Sequence, residues 1–414
     1  MPTRRPPPHD KHLTAGPAPR WRFAGLSRDT FYLAFASLFA DISTEMLYPI
    51  LPVFLTQTLN ASGSVVGLVE GIAQATQNIV QGFSGWLSDR LRKRKSIALA
   101  GYFLSAVAKP LIGVSVVWQG VLGARFLDRL GAGARSAPRD ALIAASVSEA
   151  DRGRAFGLEG IGDNAGAFLG PLLAVFLLIF LQVDARLIFY LAVIPGLLAF
   201  SMIALVREQS IAGIRSPTEL GWCGFSKPYR RYLSAIALFG IGNSSNSFLI
   251  LQTQDIGASL EATILIYAAF NLVAALASYP AGLLSDRWGR RNILLLSLAI
   301  FFVVYLGFAL TRNCFLIAVL FAFYGLYQGV FRSVGKAMAT DYVPEHRRAS
   351  GVGWYNTTVG LLGFLASMIA GLLWDRVGHG AVFLYGAVFA AIGGMALVVL
   401  VPAKQAQARS GAVT

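Results

Sequence analysis

Apolar residues in this chain come in long continuous runs, neither alternating as in a half-buried strand nor confined to one stripe of a surface helix. Twelve runs stand out, near 31–56, 64–88, 97–117, 119–141, 154–180, 186–206, 231–254, 262–284, 292–311, 314–338, 350–374 and 381–401. A helix rises 1.5 Å per residue, so about 20 residues cross a hydrocarbon layer about 30 Å thick. The pattern predicts an all-α integral membrane protein of twelve transmembrane helices. A polar stretch at 207–230, with Pro217 and Pro228, divides the runs into two sets of six. The expected organisation is a disordered tail (1–30), a first six-helix half (31–206), a linker (207–230), a second half (231–401) and a short tail (402–414).

The two halves repeat one another. Gly85-Trp-Leu-Ser-Asp-Arg-Leu-Arg-Lys-Arg-Lys95 returns 197 positions later as Gly282-Leu-Leu-Ser-Asp-Arg-Trp-Gly-Arg-Arg-Asn292, each copy between two apolar runs. A charged turn repeated at half the chain length marks a duplicated membrane bundle. Arg135 and Ser136 return at the same offset as Arg332 and Ser333, and Arg139 as Lys336.

Twelve spans with G-x-L-S-D-R-x-G-R-R after spans 2 and 8 resemble the major facilitator superfamily of secondary transporters. The second copy is complete, with Gly282, Leu284, Ser285, Asp286, Arg287, Gly289, Arg290 and Arg291; the first has Arg92 where the family has glycine. The resemblance implies a major facilitator fold that works by alternating access, with spans 1, 4, 7 and 10 around a central cavity. The motif reads physically as a gate. An aspartate at one helix end can face the positive N-terminus of another and pair with arginine, holding one face shut. Gly85, Asp89 and Arg90, with Gly282, Asp286, Arg287 and Arg290, are the gating candidates. The alternative is a purely structural role in fixing the hairpin.

Composition and charge sharpen this picture. The chain is 55% hydrophobic and 14% charged, with a mean hydropathy of +0.60. A net charge of +14 could suggest nucleic acid, but its placement follows the positive-inside rule. With the N-terminus inside, only Arg186, Arg312 and Arg376 fall on the outer side. Both termini and the linker are therefore expected in the cytoplasm, the protein in the plasma membrane (the inner membrane of a Gram-negative cell), and no nucleic acid is expected as partner. Cys223 and Cys314 fall on opposite sides, so no disulfide joins them. His9, His12, His346 and His379 lie outside the runs, without metal-ligand spacing. Neither nucleophile, metal nor cofactor motif is visible, so no enzyme is expected.

Acids inside spans are confined to the first half: Asp41, Glu45, Glu70, Asp128, Asp140, Glu159 and Asp163. A charge in a bilayer costs at least about 2.5–3.5 kcal/mol on insertion scales, so such residues are functional or paired. Asp41 and Glu45 share a face of span 1 at i,i+4 spacing, and Arg125, Asp128 and Arg129 sit in span 4 with Lys109 nearby in span 3. Burial makes a carboxylate hold its proton and a neighbouring arginine makes it let go, so a balanced acid can exchange protons between two faces. Asp41, Glu45, Arg125 and Asp128 are the proton-coupling candidates; a static ion-pair network is the alternative. Arg125 resembles the span-4 arginine of proton-coupled members, with Asp128 and Arg129 in place of the family's Gln-Gly.

Span 5 carries Gly157, Gly166, Gly170 and Pro171, which resemble the antiporter motif, although its last two glycines are Ala174 and Val175 here. Generic close packing is the alternative. Span 7 reads GIGNSSNS from Gly240 to Ser247, a polar run tolerated in a bilayer only where it lines a cavity or packs on protein. Asn243, Ser244 and Asn246, with Gln328, Arg332 and Arg135, are the substrate-binding candidates, and Tyr48, Tyr267, Tyr324 and Tyr327 are candidate apolar walls. The expectation is proton-coupled efflux of a small organic compound by a monomer without cofactor. The alternatives are proton-driven import of an organic anion, or a non-transporting sensor or scaffold of the same fold.

Overall fold

The computed structural model describes residues 22–23, 26–91, 93–148, 151–208, 225–344 and 348–401. The two tails beyond these, residues 209–224 of the linker, Cys223 and the histidines His9, His12 and His346 lie outside the described residues. Every apolar run is a helix or a helix broken in two, because in hydrocarbon the backbone must satisfy its own hydrogen bonds.

A short hairpin, β1 (Arg22–Phe23) with β2 (Leu26–Ser27), leads into α1 (Arg28–Glu45). The Ser27 hydroxyl accepts from the Thr30 amide and caps α1, so order begins earlier than the expected tail boundary at residue 30. Span 1 continues as α2 (Leu51–Val53) and a π-helical turn at Phe54–Thr58. The first half is completed by α3 (Gly63–Leu91), α4 (Arg94–Val114), α5 (Trp118–Ala145), α6 (Arg152–Phe180) and the broken pair α7 (Ala185–Leu191) and α8 (Val193–Leu205). The second half runs α9 (Lys227–Gly240), α10 (Ser247–Asp255), α11 (Leu260–Trp288), α12 (Arg290–Leu310), α13 (Cys314–Asp341), α14 (Arg348–Arg376) and α15 (His379–Leu400).

Among the described residues, eight helices are long and apolar enough to cross a membrane by length and composition. The elements that fall short are α1–α2, α3, α5 and α9–α10, which are either broken or charged. Polarity of that kind is tolerable only against protein or water, so the weakest hydrophobic signals mark the helices nearest the functional interior.

Within the first half α4 packs on α5, α1 on α6 and α3 on α5; in the second, α11 and α12 pack on α13, and α15 on α12 and α9. The halves meet along two seams, α3 against α14 and α6 against α11. The first seam is tightest at the end away from the motif turns, the far face. There a Cβ on Gly371 would meet the Gly63 backbone, and one on Gly67 would meet the Ser367 carbonyl. At the opposite end, the motif face, the charged side chains of Arg332 and Lys336 on α13 are exposed. The bundle is closed at the far face and opens toward the motif face.

Candidate functional site

Spans 1 and 7 break at equivalent places. α1 stops at Glu45 ahead of Pro49 and Pro52, and α9 gives way to non-helical backbone at residues 241–246, the unwinding that the polar run predicts. At the breaks the Tyr48 hydroxyl lies 3.3 Å from that of Ser245, 197 positions on. Since 197 is the repeat offset, these are equivalent positions touching, and they mark the pseudo-two-fold axis. Tyr48 stacks on Tyr267 with ring centroids 5.5 Å apart, and the Tyr267 hydroxyl donates to Glu45 Oε2 at 2.9 Å. A first-half acid is thus held by a second-half phenol across the centre, a partner that sequence reasoning missed because no local spacing relates them.

α6 sets the position of the acids on α1. A Cβ on Gly166 would come within 2.7 Å of the Asp41 Cβ and 2.6 Å of the Leu38 carbonyl. One on Gly170 would come within 3.0 Å of the Glu45 Cβ, and Gly162 lies against the Ala34 carbonyl. The packed stripe is therefore Gly162, Gly166 and Gly170, at i,i+4 spacing. Gly157, expected to belong to it, has nothing within 4 Å of its Cβ position, and Pro171 follows within the helix. Asp41 and Glu45 are half-buried. Asp41 makes no hydrogen bond or ion pair among the described residues; the charges that act on it are those of Asp163, Arg135, Glu45 and Arg139.

Arg125 and Asp128 belong to a network of α3, α4 and α5 that meets the central group at Tyr48. α4 and α5 cross at Gly101 and Gly131, each of which lies on the other's carbonyl, while Gly133 lets α3 approach α5 at Gln77. These crossings bring together a closed buried network. Arg125, 1% exposed, donates to both oxygens of Glu70 at 3.1 and 3.3 Å and to Asp128 Oδ2 at 3.0 Å. Asp128, 0% exposed, also accepts from Ser105 at 2.7 Å and lies 3.3 Å from Arg129 and 4.0 Å from Lys109. Lys109 in turn donates to Ser43 at 2.7 Å. Among the described residues Asp41 and Glu45 make no direct bond to Arg125 or Asp128, and Arg125 meets the central group through the Tyr48 ring. Glu70 and Asp128 engage all three nitrogens of the Arg125 guanidinium, which lies 5.6 Å from the Tyr48 ring centroid. Glu70 was legible as an intramembrane acid, but its pairing required the crossing of α3 with α5.

A second charged group lies nearer the motif face. Arg139 binds Glu159 at 2.7 Å, Asp140 at 3.1 Å and Asp163 at 3.6 Å, and donates to Ser37 at 2.8 Å. Arg135, a substrate-binding candidate, is buried, its guanidinium 4.5 Å from the Tyr102 ring centroid and its Nη1 without a hydrogen-bond partner among the described residues. Of the span-7 candidates, Ser244 is buried, whereas Asn243 and Asn246 are half-buried, with Asn246 accepting from Tyr324 at 2.8 Å. Gln328 is half-buried and Arg332 exposed. Tyr324 and Tyr327 are buried in a dense second-half cluster with Phe270, Phe301 and Tyr305, a core and not an exposed wall.

Of the gating candidates, Gly85 lies against Ala137 of α5, Arg90 is exposed, and the Asp89 side chain is outside the described residues. Gly282 has open space around it, and Arg287 is exposed. Asp286, with its side chain 67% exposed, pairs with Arg290 of its own hairpin at 3.7 Å, and Arg290 reaches Asp341 at 2.9 Å. All of these partners lie in the second half, so among the described residues Asp286 makes no bond to the first half. Gly289 turns the hairpin at φ +86°, the left-handed region that favours glycine; its counterpart Arg92 is outside the described residues. Among the described residues no group of His, Cys, Asp and Glu is placed to hold a metal ion.

Comparison with known proteins supplies the family. A model of the Major Facilitator Superfamily matches residues 33–244 and again 232–413. The chain is 34% identical over 380 residues to an uncharacterised major-facilitator-type transporter of Methanocaldococcus jannaschii, covering 90% of this chain and 95% of that one. It is 26% identical over 355 residues to the probable 4-methylmuconolactone transporter of Cupriavidus pinatubonensis, covering 81% and 82%. The crystal structure of the nucleoside transporter NupG superposes with a TM-score of 0.75 at 14% identity, covering 91% of this chain and 100% of that chain, which is a likeness of fold.

Proposed function

The chain belongs to the major facilitator superfamily, and from that premise we propose that it is a proton-coupled transporter that exports a small organic compound by alternating access. Its setting in this reading is the plasma membrane, with the motif face and both termini in the cytoplasm; the structure is then the inward-open state. Asp41 and Glu45 carry the proton. The observation behind this assignment is that Asp41 lies half-buried beside the central seam without a hydrogen bond or ion pair among the described residues. A carboxylate of that kind can take up or release a proton without first breaking a fixed pair. Glu45, tied to Tyr267, would sense the approach of the two halves. Arg125 and Asp128, engaged with Glu70 and Ser105, serve as the frame that holds α3, α4 and α5 in place. If substrate loading displaces the proton from the α1 acids, the two ligands exclude one another and the cycle is exchange.

A second reading is favoured by Arg332 and Lys336, exposed on α13 toward the motif face. Arg332 acts on Glu45, and Lys336 is acted on by Asp140, Glu159 and Asp163 of the first half. Cations so placed suit an organic anion moving together with protons.

Proteoliposomes carrying an imposed pH gradient test both, using panels of organic cations, neutral aromatics and organic anions. The Asp41→Asn, Glu45→Gln double variant should lose gradient-driven accumulation and retain part of its downhill exchange. Accumulation unchanged in that variant would remove the acids from the coupling. Movement of substrate against the proton flow marks exchange. Anion uptake with the proton flow that is weakened by Arg332→Gln marks the second reading.

A further inference from the structure

We infer that Asp375, at the end of α14, is the latch that closes the far face. Its Oδ1 accepts from the Gly63 amide at 2.7 Å and its Oδ2 from the Ser64 amide at 2.8 Å. These two N–H groups belong to the first turn of α3, where a helix has no partners of its own and where its dipole favours an anion. The cap for a first-half helix is therefore supplied by the second half, and it exists only while the halves touch at this face. Opening the far face returns two amides and a carboxylate to water, so the bond biases the protein toward the state open at the motif face.

Two further observations support a built contact. Trp374 lies over Gly63, where a Cβ would meet its indole ring at 2.5 Å, so glycine is required for the amide to reach the carboxylate. Trp374 is itself braced: it stacks on His379 with centroids 3.9 Å apart, and His379 Nδ1 lies 2.8 Å from Asp255 at the end of α10. The acceptor therefore sits on a rigid corner formed by α10, α14 and α15. The internal repeat shows that the contact is not a by-product of the fold. Displaced by 197 positions, Gly63 and Asp375 correspond to Leu260 and Leu178, and the equivalent α6–α11 seam ends in apolar packing at both. One of two related seams carries the polar latch.

The inference rests on the alternating-access reading but not on proton coupling, substrate or direction, so its test uses none of them. In a Cys223→Ser, Cys314→Ser background, Ser367→Cys places a thiol at an α14 residue, 2% exposed in the parent, whose backbone carbonyl covers Gly67 and whose side chain lies beside Ser245 at the break of span 7. The purified full chain in nanodiscs, with both faces accessible, is labelled with a polar maleimide. Asp375→Asn removes the charge and one acceptor. Ser64→Pro removes one donor from the other half, in a first turn that tolerates proline. Each should raise the labelling rate about threefold to thirtyfold, the range expected for loss of a charged helix cap. A Ser297→Cys reporter on the buried face of α12 should stay protected. Labelling at 367 that stays within twofold of the parent in either variant, or that rises only in step with residue 297, overturns the latch.

Discussion

Arg125→Gln is the most informative single perturbation of the buried interior. Arg125 makes three charge-assisted hydrogen bonds, two to Glu70 and one to Asp128, at 3.0–3.3 Å. Bonds to charged groups contribute about 1.5–3 kcal/mol each in isolation, but their sum overstates the loss because Asp128 keeps Ser105 at 2.7 Å and Arg129 at 3.3 Å. Glu70 keeps no other partner of that strength among the described residues. The cost is therefore that of leaving one buried carboxylate uncompensated, about 3–5 kcal/mol, or a hundredfold or more in the folded-to-unfolded ratio. Replacing both partners, as in Arg125→Met with Glu70→Met, removes the orphaned charge and should recover most of the loss. The assay is thermal unfolding in nanodiscs of wild type, Arg125→Gln, the single variants Arg125→Met and Glu70→Met, and their double, read as a ranking because such unfolding is not cleanly two-state. Both singles should melt well below the double. A double variant that melts lower than either single, or an Arg125→Gln variant within about 1 kcal/mol of wild type, refutes the reasoning. If the network is the frame and not the proton path, the double variant also retains gradient-driven accumulation.

Asp286→Asn should leave melting almost unchanged, since an exposed ion pair at 3.7 Å contributes about 0–1 kcal/mol, yet should slow flux several-fold by altering the balance between states; normal flux would remove Asp286 from the gate. Gly166→Ala forces a Cβ to within 2.7 Å of the Asp41 Cβ, so α1 must shift. Overpacking costs about 1–3 kcal/mol, and flux should fall with it. Gly157→Ala, where nothing lies within 4 Å, should be silent in both assays, and equal effects at the two positions would dismiss the stripe.

The spans were legible because hydrocarbon imposes one solution on the backbone, and the repeat was legible because Gly, Leu, Ser, Asp and Arg return in register. The break in span 7 could be read from GIGNSSNS, since few structures tolerate that polarity in a bilayer. What stayed hidden was which acid meets which base. Arg125 lies three residues from Asp128 and 55 from Glu70, and only the first distance is visible in a linear chain. Gly157 and Gly162 look alike in a list of glycines; the direction in which α6 presents each one separates them. Arg135 has an outward-looking counterpart in Arg332 by repeat, yet Tyr102 covers it, so pseudo-symmetry of position did not carry over to exposure.

That last difference bears on how the cycle divides its labour. At the positions equivalent to Arg125, Asp128 and Arg129 the second half has Ala322, Gly325 and Leu326, and the second-half interior is filled by packed aromatics, such as Phe301 and Tyr327 edge-to-face at 4.9 Å between centroids. One half is stiffened by ion pairs and the other by dispersion and ring packing. Stiffness of both halves is what allows a change at the seam to become a rigid-body rotation and not a local deformation. The polar contacts across the seam include Glu45 with Tyr267 and Tyr48 with Ser245 at the centre, Asn271 with the Ala167 carbonyl between α11 and α6, and Asp375 with the α3 amides at the far face. In the proposed cycle, protonation of Glu45 would act on its bond to Tyr267 directly. It can therefore shift the equilibrium between states only by the difference in that bond between them, and the latch inferred at the far face would add to the difference that the cycle must overcome.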